Sequence, residues 1–239
     1  MDEKRLDFFL NRRYQVLLGV LIVLLVIEPI VSSHGILQSM FDILLVVVLA
    51  VLVLAMANEK GWRLVAVFFC VPAAALSLGG HLMSTTHQNI GLSIGQGLAA
   101  LFFILVAGKI IATIIWTREI SLDSIYGAVC GYLLIGVAWG LAYTVVQFTD
   151  PEAFDMSEVL QHQLDEAEGT RNLFVYYSFV TLTTVGYGDL TPSTEVARTL
   201  AWVESVVGQL YLGILIAGLM SALVAKRINV DRSSNQLSE

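Results

Sequence analysis

Residues 181–189 form the segment of this sequence best suited to chemistry, and they read Thr-Leu-Thr-Thr-Val-Gly-Tyr-Gly-Asp. Backbone carbonyl oxygens can replace the water around a monovalent cation when an extended loop points them inward. Gly186 and Gly188 let such a loop adopt backbone conformations that other residues resist, and Thr184 adds a hydroxyl oxygen at one end. Since one strand of carbonyls cannot surround an ion, the pattern predicts a site built from four copies of the chain.

The composition indicates that membrane helices position this loop. Of the 239 residues, 56% are hydrophobic and only 14% are charged, which is more apolar surface than a soluble domain can bury. A helix needs about 20 apolar residues to cross a bilayer. Six segments meet that requirement: 15–31, 41–57, 62–80, 91–116, 120–148 and 196–226.

A short helix is predicted directly before the loop, over 171–183, with Thr170 as its N-cap. Because it is too short to cross a membrane, it must be re-entrant and buried in protein. Its carbonyl end would point towards the centre of the bilayer, where the negative end of the helix dipole favours a cation.

In this context residues 181–189 resemble the selectivity filter of the tetrameric potassium channels. Gly-Tyr-Gly-Asp alone would be typical of any turn, but here it follows a pore-helix-like segment between apolar spans. The resemblance is strongest over 170–225 and implies potassium binding by four residues and support by five more. The implied ion-binding residues are Thr184, Val185, Gly186 and Tyr187, and the supporting residues are Thr183, Gly188, Asp189, Tyr176 and Tyr177.

Two positions refine this resemblance. Tyr187 argues against the related nonselective channels, whose loops lose the aromatic residue. Val180 departs from the members that carry a glutamate behind the filter, so slow closure of the filter is expected to differ here.

The predicted fold is an all-α membrane protein with six transmembrane helices, a re-entrant pore helix, a filter loop and a tetrameric pore. Residues 1–118 would form a four-helix bundle, 119–226 the pore domain and 227–239 a short cytoplasmic tail. Within the pore domain, residues 149–170 carry seven acidic residues and no base, which predicts a solvated turret that attracts cations at the channel mouth.

The placement of basic residues predicts the orientation. Ten of the 13 lysines and arginines precede the first span, follow the sixth, or lie in the loops after the second and fourth spans. These regions share one side of a six-span protein, and positive charge favours the cytoplasm. Both termini are therefore expected to be cytoplasmic in a bacterial-type plasma membrane, with the filter loop on the outer side.

The fourth predicted span lacks a voltage-sensing ladder. Such a sensor needs a basic residue at every third position, because each elementary charge couples about 2.3 kcal/mol per 100 mV. In the register of Lys109 only Arg118 is also basic, so Lys109 is interpreted as a side chain that extends to the membrane interface.

The sixth span holds three candidates for gating, Glu204, Gly208 and Gln209, in a run that looks like the inner helix of small bacterial potassium channels. A carboxyl group within a span is a functional candidate by default. A hydrogen-bonding role near the pore helix is favoured for Glu204 over tuning of ions in the cavity. Gly208 suits a hinge and close helix packing equally well.

The sequence as a whole predicts a passive, potassium-selective channel that is not strongly voltage-gated and is not an enzyme. Potassium is its expected ion and no other cofactor is expected; its partners would be three further copies of itself and the lipid bilayer, with no nucleic acid or enzyme substrate. Two alternatives remain. One is the potassium-translocating subunit of an uptake system, although such subunits usually carry several degenerate pore loops in one chain. The other is a membrane sensor with a vestigial pore.

Overall fold

A computed structural model of the chain describes residues 13–31, 60–80, 85–116, 122–161 and 167–236, and most of them are helical. The helices are α1 (Arg13–Val31), α2 (Lys60–Gly80), α3 (Thr85–Trp116), α4 (Leu122–Thr149), α5 (Glu158–Gln161), α6 (Ala167–Leu182) and α7 (Glu195–Gln236), and the strands are β1 (Phe154–Met156) and β2 (Leu190–Pro192).

Three helical segments among the described residues are long and apolar enough to cross a membrane: Ser93–Thr113, Asp123–Thr149 and Glu195–Gly218. They coincide with the fourth, fifth and sixth predicted spans. Helices α1 and α2 coincide with the first and third predicted spans, and α1 contains a shorter apolar segment, Tyr14–Val26. The second predicted span, 41–57, lies outside the described residues, so the count of six spans stays a prediction.

Helix α4 organises the packing, since α1, α3 and α6 all lie against it. Leu17, Leu21 and Leu24 recur on one face of α1 and are buried in the same cluster as Phe102 and Phe103 of α3. The cluster also includes apolar residues of α4, and Leu182 from the end of α6. The outer helix of the predicted pore domain is therefore packed directly against the predicted bundle of the same chain.

A small β-sheet modifies the all-α prediction, although the mostly helical character is confirmed. Strand β1 in the turret pairs antiparallel with β2, which follows the filter loop, with Phe154 opposite Pro192 and Met156 opposite Leu190. Strands of three residues are too short for alternation of apolar and polar residues to show in the sequence. The turret is thus tied to the chain just beyond the filter.

Two helix boundaries differ from the sequence-based expectations. Helix α6 begins at Ala167, so Thr170 lies in its first turn and is not the predicted N-cap. A threonine caps a helix only when its own backbone is non-helical, and here the preceding residues are already helical. Helix α7 continues through Gln236, ten residues beyond its predicted end, and its backbone spans about 63 Å at 1.5 Å per residue.

Candidate functional site

The filter loop begins at the end of helix α6 with a Schellman motif. The amide of Thr184 donates to the carbonyl of Thr181 at 3.0 Å, and the amide of Val185 donates to the carbonyl of Val180 at 2.9 Å. This pair of bonds places a residue in the left-handed conformation between them, and Thr184 has a φ of 59°. Glycine is usual at that position, so the β-branched Thr184 marks a strained backbone of the kind that clusters at functional sites.

The left-handed conformation then recurs at every second residue. Gly186 has a φ of 60° and Gly188 a φ of 75°, while Val185 and Tyr187 between them do not have positive φ values. Peptides that alternate between right-handed and left-handed conformations turn successive carbonyl groups to the same side of the chain. Among the described residues of one chain, a Cβ atom at Gly186 or Gly188 would meet nothing within 4 Å, so within the chain these glycines are required for their conformation and not for space.

Tyr176 of α6 holds the end of the predicted filter loop that is farther from α6. Its hydroxyl donates to Asp189 Oδ2 at 2.7 Å, and its ring stacks on Tyr187 with centroids 6.4 Å apart and planes 7° apart. Burial, together with the hydrogen bond to Asp189 and that carboxylate's charge, raises the pKa of the Tyr176 phenol to about 12. The phenol therefore stays protonated at neutral pH and keeps donating this bond.

The neighbouring Tyr177 points the other way. Its ring is buried against Tyr143 of α4 at 5.0 Å and Phe154 of β1 at 5.5 Å between centroids. Phe174 completes this aromatic cluster, 4.7 Å from Phe154. Of the two tyrosines predicted to support the filter, Tyr176 thus contacts the filter, and Tyr177 joins the pore helix to the outer helix and the turret.

The side chains of the filter itself are open in this single chain. Val185 is 52% exposed and Tyr187 is 69% exposed. At the start of the loop, Thr183 donates its hydroxyl to the carbonyl of Phe179 at 2.5 Å, one turn back on α6. Residues of one chain therefore fix the base of the loop and leave more than half of the surface of its two large side chains exposed.

Glu204 of α7 lies at the meeting point of three helices and is fully buried. Tyr143 of α4 donates its hydroxyl to Glu204 Oε2 at 2.7 Å, and Ser178 Oγ of α6 lies 2.5 Å from Glu204 Oε1. Ser178 Oγ is also 2.6 Å from the carbonyl oxygen of Gly136. This arrangement agrees with the hydrogen-bonding role favoured for Glu204.

Gly208 packs against the end of the pore helix. A Cβ atom there would lie 2.5 Å from the carbonyl oxygen of Leu182, so α7 can approach α6 this closely only at a glycine. Gly213, one of the other glycines of α7, has nothing within 4 Å of such an atom. Gln209, the third gating candidate, is exposed on α7.

The outer helix contributes residues that the sequence did not single out. A Cβ atom at Gly136 would lie 2.6 Å from the Phe179 ring, and one at Gly140 would lie 2.7 Å from the Cα of Val175. These two glycines lie one turn apart and let α6 pack closely on α4. The signal in the sequence was their spacing of four residues in an apolar helix, which is typical of close helix contacts.

Lys109 is held against the bundle. Its ammonium nitrogen lies 5.6 Å from the centroid of the Trp62 ring of α2, within the range of a cation–π interaction. Among the described residues, no group of three or more histidine, cysteine or acidic side chains could hold a metal ion.

The region that contains this site is similar to known channel proteins. A family model described as an ion channel matches residues 99–225, which include α4, the pore helix, the filter and most of α7. The chain is 39% identical over 69 residues to the two-pore potassium channel 4 of Arabidopsis thaliana, a match that covers 27% of this chain and 24% of the plant protein. It is 30% identical over 102 residues to protein LctB of Bacillus caldotenax, covering 42% of this chain and 72% of that protein. The chain thus spans only about a quarter of the plant channel.

Proposed function

This chain belongs to the ion-channel family, among the potassium channels and not among enzymes, and from that premise we propose that it conducts potassium selectively and passively across a membrane. Its ion sites would be built from the carbonyl oxygens of Thr184, Val185, Gly186 and Tyr187, with the Thr184 hydroxyl at one end. Potassium ions in the filter are its only proposed ligand.

The alternating backbone of the filter is the observation that carries this proposal. Positive φ values at Thr184, Gly186 and Gly188 support a strand whose carbonyls would point to one side, the arrangement that replaces the hydration shell of a cation. The bond between Tyr176 and Asp189 supports the outer end of this backbone. The base is supported by the Schellman motif at the end of α6. These contacts tie the loop at both ends, which supports the proposal that its backbone is held ready for ion binding.

Four copies of the chain would complete the pore. Val185 and Tyr187 are more than half exposed in one chain, and α7 also carries exposed large apolar side chains at a spacing of four residues: Trp202, Val206, Leu210 and Ile214. Residues at this spacing share one face of a helix. Neighbouring subunits and lipid would cover these surfaces, and four filter strands would surround each ion.

Reversal potentials test the selectivity. Purified protein in planar bilayers should give currents whose reversal potential follows the potassium gradient, by about 59 mV for each tenfold change for a univalent ion. Replacing potassium by sodium on one side should move the reversal potential as if that side held almost no permeant ion. A reversal potential that ignores the potassium gradient would end this proposal.

Mass measurement tests the assembly. In native nanodiscs the intact particle should have the mass of four chains of 26.1 kDa each plus bound lipid. A conducting dimer would contradict the requirement for four filter strands. We further propose a bacterial-type plasma membrane with both termini cytoplasmic, because the basic residues favour that side; labelling of single cysteines introduced in the turret and near residue 232 would check it.

A further inference from the structure

The hydrogen bonds around Glu204 can be counted against the hydrogens available to make them. Three contacts join four groups: Tyr143 hydroxyl to Glu204 Oε2, Ser178 Oγ to Glu204 Oε1, and Ser178 Oγ to the carbonyl oxygen of Gly136. A hydroxyl carries one hydrogen, and a carbonyl oxygen carries none. With an ionised Glu204, Tyr143 and Ser178 supply two hydrogens for three contacts.

The missing hydrogen would leave two oxygens facing each other without a proton. Ser178 could donate its one hydrogen either to Glu204 or to Gly136. The oxygen that does not receive it would then lie 2.5 or 2.6 Å from Ser178 Oγ with no hydrogen between the two oxygens. An unsatisfied buried polar contact of this kind is costly. A hydrogen on Glu204 Oε1 removes the conflict, since Glu204 then donates to Ser178, Ser178 donates to Gly136, and Tyr143 donates to Glu204.

The surroundings of Glu204 favour the same answer. The side chain is fully buried within a predicted membrane span, where an unpaired charge is expensive. Its hydrogen-bond partners come from α4 and α6, and among the described residues the titratable groups that interact with it are the phenols of Tyr132, Tyr143 and Tyr177. None of these phenols supplies a positive charge.

We propose that Glu204 is a neutral carboxylic acid that donates a hydrogen bond to Ser178, and that it acts as a positioning residue which fixes the pore helix between the inner and outer helices. A chain of hydrogen bonds leads from Glu204 on α7 through Ser178 on α6 to the carbonyl of Gly136 on α4. It lies close to the point where Gly136 and Gly140 let α6 pack tightly on α4. Its effect on the filter is indirect, since Ser178 lies on the helix that ends in the filter.

Infrared spectroscopy of the full-length protein in detergent tests this assignment. The wild type should show the C=O stretching band of a protonated carboxylic acid, and Glu204→Gln should lose it. Glu195→Gln is the matched control, because Glu195 is exposed at the start of the same helix and should lose only carboxylate absorption. If Glu204→Gln removes carboxylate absorption and no acid band, the proposal is overturned.

A second variant keeps the test independent of folding in Glu204→Gln. Ser178→Ala removes the acceptor of the proposed bond and should shift the acid C=O band to higher frequency, whereas an ionised Glu204 predicts no acid band to shift. Glu204→Gln should also remain tetrameric, because its amide N–H replaces the acid O–H, while Glu204→Ala should not. The spectra do not depend on which ion passes, so failure of the proposed selectivity would leave this assignment standing.

Discussion

Glycine is needed at residue 186 because of the left-handed backbone conformation there, and not because the space for a side chain is limited. Its φ of 60° costs an L-residue about 1–2 kcal/mol, or roughly 4–8 kcal/mol over the four subunits of the proposed tetramer if the costs add. Gly186→Ala should therefore abolish potassium current while the protein remains folded and tetrameric. Single-channel recording together with native mass measurement checks both halves of this expectation.

Ser193→Ala is the control for this substitution, because Ser193 is exposed just beyond the filter. The substitution keeps the hydrogen bond that the backbone amide of residue 193 donates to the carbonyl of Ala153. It should conduct like the wild type. Wild-type current from Gly186→Ala would show that the left-handed conformation at this residue is not needed for conduction.

Residues that act through their neighbours in the chain could be predicted from the sequence, and residues that act through distant partners could not. The filter is a continuous motif, so Thr184, Gly186 and Gly188 were identified directly. The sequence indicated that Glu204 was unusual, but its partners Ser178 and Tyr143 lie 26 and 61 residues away. A lone serine or tyrosine in an apolar helix gives no indication of which carboxyl group it will meet.

Helices α6 and α7 can approach this closely only because residue 208 is a glycine and has no Cβ methyl group. A Cβ atom at residue 208 would lie 2.5 Å from the backbone carbonyl oxygen of Leu182, which cannot rotate away as a side chain can. Gly208→Ala should destabilise the assembly by about 1–3 kcal/mol, as overpacking does, and should reduce current. Thermal unfolding of the tetramer and bilayer recording measure the two effects.

Gly213→Ala controls for the change of residue type on the same helix, since nothing lies within 4 Å of a Cβ atom there. Alanine is also the better helix former, so this variant should be at least as stable as the wild type. Equal stability of the two variants would indicate that Gly208 is not a packing position, and a loss of current from Gly208→Ala at unchanged stability would indicate a flexible hinge.

The β1–β2 pair depends on Phe154, which anchors the turret in the aromatic cluster. Its ring lies 4.7 Å from Phe174, 5.5 Å from Tyr177 and 5.7 Å from Tyr143 between centroids. Phe154→Ala should lower the free energy of unfolding by about 3–5 kcal/mol, the usual cost of deleting a buried phenylalanine. Thermal denaturation followed by tetramer content measures it.

Phe68→Ala makes the same chemical change at a phenylalanine that is 70% exposed on α2, and it should have a far smaller effect. Similar losses from both variants would mean that the strand pair does not stabilise the pore domain. The turret was predicted as a solvated acidic loop because its acidic residues dominate the composition, and the two buried apolar residues of β1 are too few to show a strand pattern.

For the whole molecule, the fourth predicted span is where a voltage sensor would be expected. It carries Lys109 without a ladder of further charges, and each charge that crosses the field contributes about 2.3 kcal/mol per 100 mV. Open probability should therefore change little over the physiological range. Conductance–voltage curves from steady-state single-channel records measure this dependence.

Lys109→Gln separates the explanations if the curve is steep. Steepness that survives the substitution would place the sensor in the filter and its ions. Steepness that disappears would make Lys109 a gating charge and would contradict its placement over Trp62 as a static interaction.

The pairing of β1 with β2 within one chain has a consequence for stoichiometry. Each chain pairs its own turret with the residues just beyond its own filter loop, so in the proposed tetramer each subunit would support its own part of the channel mouth. Damage to one quarter should then leave the other three intact. The test uses linked tetramers in which zero to four of the subunits carry Phe154→Ala. Their stability should fall by a similar amount with each substituted subunit, as in a modular assembly. The first substituted subunit should not cause the whole loss.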